Sequence, residues 1–205
     1  MPKKIPKKTI QRVLIYHRYL TFLLQQGTRD ISSKSLADIL ETTPSQVRKD
    51  LSCFGRFGKS GSGYDVLELR DLIGKRLGFE KLRKVCIAGM GNLGVALAGY
   101  RGFEDLGLTI QAVFDSDPKK INRKFDGLVC RDIKEIAPVV KKNQIDMAVL
   151  TVPAGSAQEV ARRLENAGIR AILNFTPVKL TLSSRVKVSN VDLAVELKTL
   201  SFFIR

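Results

Sequence analysis

Six residues near the middle of the chain, Gly89-Met90-Gly91-Asn92-Leu93-Gly94, spell G-x-G-x-x-G. A short apolar run, Val85 to Ala88, precedes them, and an alanine-rich stretch with helical spacing follows. Between a strand and a helix, the three glycines have separate tasks: a tight turn, close approach of backbone to a pyrophosphate, and close packing of helix on strand. The helix N-terminus, at about Asn92, then faces the phosphates. A second strand-like run, Thr109 to Phe114, ends at Asp115, 21 residues beyond Gly94. An acid there accepts hydrogen bonds from the adenosine ribose hydroxyls and repels a 2′-phosphate, which favours NAD and NADH over NADP. The motif alone is a weak signal. With strand, helix, second strand and acid in register, it predicts a dinucleotide site.

About 84 residues of more basic character come before the motif, and 111 follow Gly94. One nucleotide-binding domain fits that remainder, and a separate substrate domain does not. Residues 145–152 read as a strand broken by Pro153, 157–167 as a helix, 169–173 as a strand, and 186–190 as a last short strand. The alternation predicts an α/β fold with a doubly wound, Rossmann-like parallel sheet over 81–190. Ligands of such sheets lie at the carboxyl ends of strands, so Thr151, Val152, Pro153, Asn174 and Phe175 are expected around the nicotinamide half, although simple turn chemistry also accounts for them. Catalytic groups are not found: His17 is the single histidine, no Ser/His/Asp set or Y-x-x-x-K can be assembled in the nucleotide domain, and Cys53, Cys86 and Cys130 lack metal-ligand spacing. A cofactor site with neither catalytic residues nor a metal points to sensing. Isolated cysteines, the absence of eighteen consecutive apolar residues and a lysine-rich start without an apolar segment predict a reduced, cytoplasmic protein with no membrane partner.

Charge is unevenly spread. Residues 1–84 hold 18 Lys/Arg against 8 Asp/Glu, and residues 85–205 hold 17 against 12. Polyanion binding by the N-terminal part explains that asymmetry; a lysine- and arginine-rich surface of the thermophile kind explains it equally. Local pattern separates the two. Residues 9–26 carry Ile10, Val13, Leu14, Tyr16 or His17, Leu20, Leu23 and Leu24 at helical spacing, closed by Gly27. Ser32 or Ser33 can cap a second helix over 34–40, with Leu36, Ala37, Ile39 and Leu40 inward. Pro44 opens a third, to about Phe54, with Val47 and Leu51 on its buried side and Ser45, Gln46, Arg48, Lys49 and Ser52 on its polar side. This is the helix-turn-helix plan: Arg and Gln suit base edges, Ser and Lys suit phosphates. The glycine-rich stretch from Gly55 to Tyr64 carries Arg56, Lys59 and Ser60 and runs into strand-like Tyr64-Asp65-Val66. A hairpin tip of that kind predicts a winged helix over 1–80, its wing free to enter the minor groove; a flexible linker is the competing reading. Residues 67–77 read as a further helix joining the domains. Residues 191–205 place Leu193, Leu197, Leu200 and Ile204 at i, i+4, i+7 and i+11, beside Phe202 and Phe203. A helix so apolar needs cover, and a homodimer interface provides it while matching two DNA half-sites.

The ordered segments Gln46-Val47-Arg48-Lys49-Asp50-Leu51-Ser52 with Phe54-Gly55, Gly61-x-Gly63-Tyr64, the glycine motif, Phe114-Asp115-x-Asp117-Pro118, Thr151-Val152-Pro153, Ile172-Leu173-Asn174-Phe175-x-Pro177 and Asn190-Val191-Asp192-Leu193 together resemble the Rex family of bacterial redox-sensing repressors. The resemblance implies an N-terminal winged helix, a Rossmann domain and a C-terminal helix swapped between subunits of a homodimer. It implies binding to pseudo-palindromic double-stranded operator DNA when NADH is scarce and release when NADH rises. Arg48 and Lys49 would then contact operator bases or phosphates and Lys59 the backbone, while Arg18, Tyr100 and Asp192 would lie near the nicotinamide as a switch. Two alternatives stand beside it: an NAD-dependent oxidoreductase with a basic appendage, and a CoA-binding Rossmann module, which leaves the basic helices and Asp115 without a role.

Overall fold

Capping chemistry decides most element boundaries in the computed structural model, which describes residues 5–55, 57 and 63–204. The chain divides into two units, Met1–Lys81 and Leu82–Arg205.

In the first unit α1 (Lys7–Gln25) ends where Gly27 turns left-handed at φ 76°. Thr28 N then donates to Leu23 O and Gly27 N to Leu24 O, the paired bonds that satisfy a helix's last carbonyls. After β1 (Asp30–Ile31), Ser32 caps α2 (Ser33–Ile39) by accepting from Ser35 N. Thr43 caps α3 (Pro44–Ser52) by accepting from Gln46 N, with Pro44 in the first turn. Following β2 (Tyr64–Asp65), Asp65 caps α4 (Val66–Leu77), which Gly78 ends in left-handed conformation. Val13, Tyr16 and Leu20 of α1 pack with Leu36, Val47, Leu51, Leu69 and Ile73 into one core. The helix read as joining the domains, α4, packs into this core through Val66, Leu69 and Ile73. β2 pairs antiparallel with β1, Ile31 opposite Tyr64, and the expected wing tip with Arg56, Lys59 and Ser60 lies outside the described residues. Gly63 is required at that junction, since a Cβ there would lie 2.8 Å from Ile31 O at φ +79°. Ile39, read as inward, is exposed, as is Ile10 of the α1 apolar stripe; Thr9 takes the buried position one turn before Val13.

The second unit runs β3 (Arg83–Ala88), α5 (Asn92–Ala98), a 3-10 helix (Arg101–Leu106), β4 (Leu108–Asp115), β5 (Lys124–Phe125), β6 (Leu128–Asp132), α6 (Ile136–Asn143), β7 (Met147–Leu150), α7 (Ala154–Asn166), β8 (Ala171–Asn174), β9 (Lys187–Asn190) and α8 (Leu193–Phe203). Its sheet has the order β5-β6-β4-β3-β7-β8-β9, parallel except for the β5–β6 hairpin. From β3 the chain builds outward first through β4 and β6, then through β7, β8 and β9, so the order reverses beside β3. A ligand crevice opens at such a reversal, outside the strands' carboxyl ends. Burial is continuous over Val85–Ala88 and Ala112–Asp115, as in strands covered on both faces. One face packs under α6 and α7 through Ala88, Phe114, Leu150 and Leu164; the other holds Val85, Ile87, Met90, Val113 and Val149. Every large apolar side chain from Leu193 to Ile204 is more than half exposed. No helix of the described residues is long and apolar enough to cross a membrane.

Candidate functional site

Backbone crowding dictates the glycine motif. Gly89 adopts φ +101°, and a Cβ on it would sit 2.7 Å from the Thr151 carbonyl and 2.8 Å from Val152 N. A Cβ on Gly94 would strike the Gly89 carbonyl oxygen and approach Thr151 Oγ1 to 3.1 Å. Around Gly91, by contrast, a Cβ would meet nothing within 4 Å. Protein packing therefore explains the first and third glycines, while the second borders open space, as a backbone approached by a pyrophosphate must. Gly91 is also the N-cap of α5 and offers no side-chain cap, so the first-turn amides have no capping acceptor. Thr151 clamps the turn from β7's end: its N–H donates to Ala88 O at 2.9 Å and its hydroxyl to Gly89 O at 2.7 Å.

Asp115 closes the opposite side. Its Oδ2 accepts from Met90 N at 2.7 Å and from Lys120 Nζ at 3.1 Å, and its Oδ1 accepts from Asp117 N at 2.9 Å. Burial by itself would raise this carboxyl's pKa, but the Asp117 and Met90 amides and the Lys120 ammonium hold it below the ordinary value. Asp115 is thus an anionic acceptor at the mouth of a cleft of about 510 Å³ between β4 and β7. Ile133, Val152 and Val160 supply apolar walls, and Gly89 and Gly91 the glycine edge. An adenosine with a diphosphate matches this donor set and volume.

Thr151, Val152 and Pro153, expected around the nicotinamide half, line this same cleft with Asp115. Met90 contributes its amide while its side chain is buried in the core. Asn92 is exposed and Leu93 half-buried. Asn174, expected beside the cofactor, is fully buried: its Nδ2 donates to Thr176 O, Val178 O and Asn190 Oδ1, and its Oδ1 accepts from Thr176 N and Oγ1. Backbone carbonyls of the turn after β8 need a buried donor, and Asn174 supplies it. Phe175 packs into the α5-side core cluster. Tyr100 precedes the 3-10 helix, half exposed and without a side-chain capping bond, its ring edge-on to Phe103 at 5.2 Å, and borders a separate groove with Asp126. Asp192 caps α8, its Oδ1 accepting from Ala194 N and Val195 N. Arg18 is exposed on α1, in the first unit. Lys120, Ile133, Ser156 and Val160 were not foreseen as lining; of these Lys120, five residues past Asp115 in a turn, carried the best available signal.

On the helix-turn-helix, Ser45, Arg48, Lys49 and Ser52 are exposed along α3. The Arg48 guanidinium donates to Ser33 Oγ at 3.0 Å, and Ser52 donates to Lys49 O at 2.7 Å. Gln46 is half-buried and donates through Nε2 to Asp50 Oδ1 at 2.8 Å. Asp50, unmarked as a functional residue in the sequence, organises this helix. It is 1 % exposed and takes both Arg12 Nε and Nη2 at 2.6 Å and the Tyr16 hydroxyl at 3.1 Å. Burial would raise its pKa, yet Arg12, Gln46 and Tyr16 hold it low, while burial and the Asp50 charge push the Tyr16 phenol up to about 12. Tyr64 is half-buried on β2. Arg56, Lys59 and Ser60 lie outside the described residues.

A Rossmann-type cleft carried in one chain with a helix-turn-helix unit defines a nucleotide-responsive regulator. Comparisons agree on both parts. Residues 4–52 match a model described as "Putative DNA-binding protein N-terminus", and residues 80–178 one described as "CoA binding domain". The chain is 44 % identical over 199 residues to the redox-sensing transcriptional repressor Rex of Desulfitobacterium hafniense, covering 97 % of this chain and 95 % of that one. It is 44 % identical over 205 residues to the redox-sensing transcriptional repressor Rex 1 of Thermotoga maritima, covering 100 % and 98 %. Among solved structures, RSP in complex with β-NAD+ and operator DNA superposes with a TM-score of 0.92 at 38 % identity, covering 98 % of this chain and 93 % of that one. RSP in complex with β-NADH does so at 0.89 and 36 %, covering 98 % and 94 %. The chain belongs to the Rex family of redox-sensing transcriptional repressors.

Proposed function

We propose that this protein, as a cytoplasmic homodimer, binds pseudo-palindromic operator DNA when NADH is scarce and leaves it when NADH occupies the cleft of Asp115. The observation that carries this is the anionic Asp115 at the cleft mouth in the same chain as an α3 that exposes Arg48 and Lys49. Gly91 and the first amides of α5 would hold the diphosphate, Asp115 the ribose hydroxyls, and Ile133, Val152 and Val160 the adenine. Arg48 would read base edges and Lys49 a phosphate; Arg56, Lys59 and Ser60 would follow the backbone from the wing. The exposed apolar face of α8 supports a second copy as its cover, and a two-fold dimer would present two α3 helices to half-sites about one DNA turn apart.

The two redox forms of the bound cofactor differ by one positive charge on the nicotinamide ring. Asp192 can exchange its helix-capping bonds for that charge or for Arg18, with Tyr100 completing the switch, and so bias the orientation of the DNA-reading helices. NADH is bound and returned unchanged, in keeping with relatives that are named transcriptional repressors. The test is operator-duplex binding at fixed salt while NADH is titrated against NAD, with NADH absorbance followed in the same samples. Release by NADH with constant absorbance is expected; consumption of NADH, or DNA binding indifferent to it, would overturn the proposal.

A further inference from the structure

We propose that Lys120 governs how strongly this cleft rejects a dinucleotide bearing a 2′-phosphate, a proposal that rests on the cleft being the NADH site. Asp115 alone would set a full negative charge against the ribose 2′ position. Here the Lys120 ammonium sits 3.1 Å from Oδ2 and lines the cleft, its side chain one-third exposed and so within reach of a ligand. Its position is built rather than incidental. Asp117 N ties the start of the turn to Asp115 Oδ1, Lys120 N and Ile121 N both donate to Asp117 O, and Asp117 Oδ1 accepts from Lys119 N. The far end is anchored to β6, with Asn122 N donating to Cys130 O and Cys130 N to Arg123 O. A turn pinned at both ends folds Lys120 back over the carboxylate. The ribose end therefore presents a paired charge, an acceptor for hydroxyls with its repulsion of phosphate reduced by the adjacent cation.

The expected behaviour is strong preference for NADH together with measurable NADPH binding. Affinities of the full-length protein are read by NADH fluorescence, with NADPH measured by competition up to millimolar concentration. Lys120→Met is expected to raise the NADPH-to-NADH Kd ratio by about tenfold, the effect of removing one cation from a partly screened site. NADH affinity, measured in the same variant, should change less than NADPH affinity, because the Met90 and Asp117 amides still hold Asp115 and NADH brings no 2′-phosphate charge to the site. Lys120→Arg keeps the charge and should keep the wild-type ratio. A Lys120→Met ratio unchanged within twofold, or a wild-type protein that NADPH does not compete for at all, overturns the role of Lys120 while leaving the NADH site standing. Failure of the wild type to bind NADH would instead remove the cofactor reading on which it rests.

Discussion

Removing Arg12 should strand a buried carboxylate in the middle of the DNA-reading helix. Asp50 is 1 % exposed, and Arg12 supplies two of its four hydrogen bonds, both at 2.6 Å. Deleting one partner of a buried pair costs about 3–5 kcal/mol; Arg12 is 30 % exposed and Tyr16 and Gln46 remain, so we expect about 3 kcal/mol for Arg12→Met. For a unit of this size that is a lowering of Tm by roughly 12–24 °C, read by thermal circular dichroism or by urea midpoint. The pH dependence has a definite sign. In the wild type the depressed Asp50 pKa contributes stability above the unfolded value of about 3.9, lost as pH falls through the folded pKa. In Arg12→Met the folded pKa is raised above that of the unfolded chain, so the penalty is full at neutral pH and fades as the acid protonates. The gap between the two proteins should narrow below about pH 4. Adding Asp50→Asn removes the stranded charge and should recover at least about 1 kcal/mol of the loss. A double variant less stable than Arg12→Met, or a gap that widens in acid, refutes the reasoning.

Gly94→Ala should weaken NADH binding at least tenfold, because the new Cβ drives α5 away from Gly89 and Thr151; an overpacking cost of about 1–3 kcal/mol in stability should accompany it, and unchanged NADH affinity would contradict the geometry. Maleimide at neutral pH should label Cys53 in the native protein and reach Cys86 and Cys130 only after unfolding. Both are buried, burial pushes the Cys86 thiol up to about 12, and burial with the nearby Asp115 charge pushes Cys130 up to about 11; a second thiol reacting at the Cys53 rate would argue against this core. Lys49→Ala should weaken DNA binding uniformly and lower the salt slope by about 1, whereas Arg48→Ala should relax preference at one base pair; the reverse pattern would exchange their roles.

The parts of the site that were readable from the residue order are those whose physics is local. The glycine motif, the strand before it and Asp115 at the end of the next strand are fixed by turn sterics and spacing, and the topology follows from parallel alternation. The β5–β6 hairpin has a signal too: Asp126-Gly127, both at positive φ (45° and 80°), is the dipeptide that tight hairpins favour. Long-range pairing was harder. Asp50 shares the buried stripe of Val47 and Leu51, but its counter-ion is 38 residues away on α1, and nothing in a linear pattern joins them. Asn174 was readable as a residue at the carboxyl end of a strand, where ligands are commonly met, whereas the need of buried turn carbonyls for its donor appears only once the turn after β8 is folded. Asp192 has a local signature only as the cap of α8, and the switch roles proposed for Tyr100 and Asp192 come from resemblance.

Coupling between the two ligands is the claim on which the account stands. NADH affinity should be measured by fluorescence at one salt concentration, with and without a saturating palindromic operator duplex. Linkage requires the duplex to weaken NADH binding by the same factor by which NADH weakens DNA binding, within the usual range of about 5–150-fold. Equal NADH affinities in the two samples would contradict it.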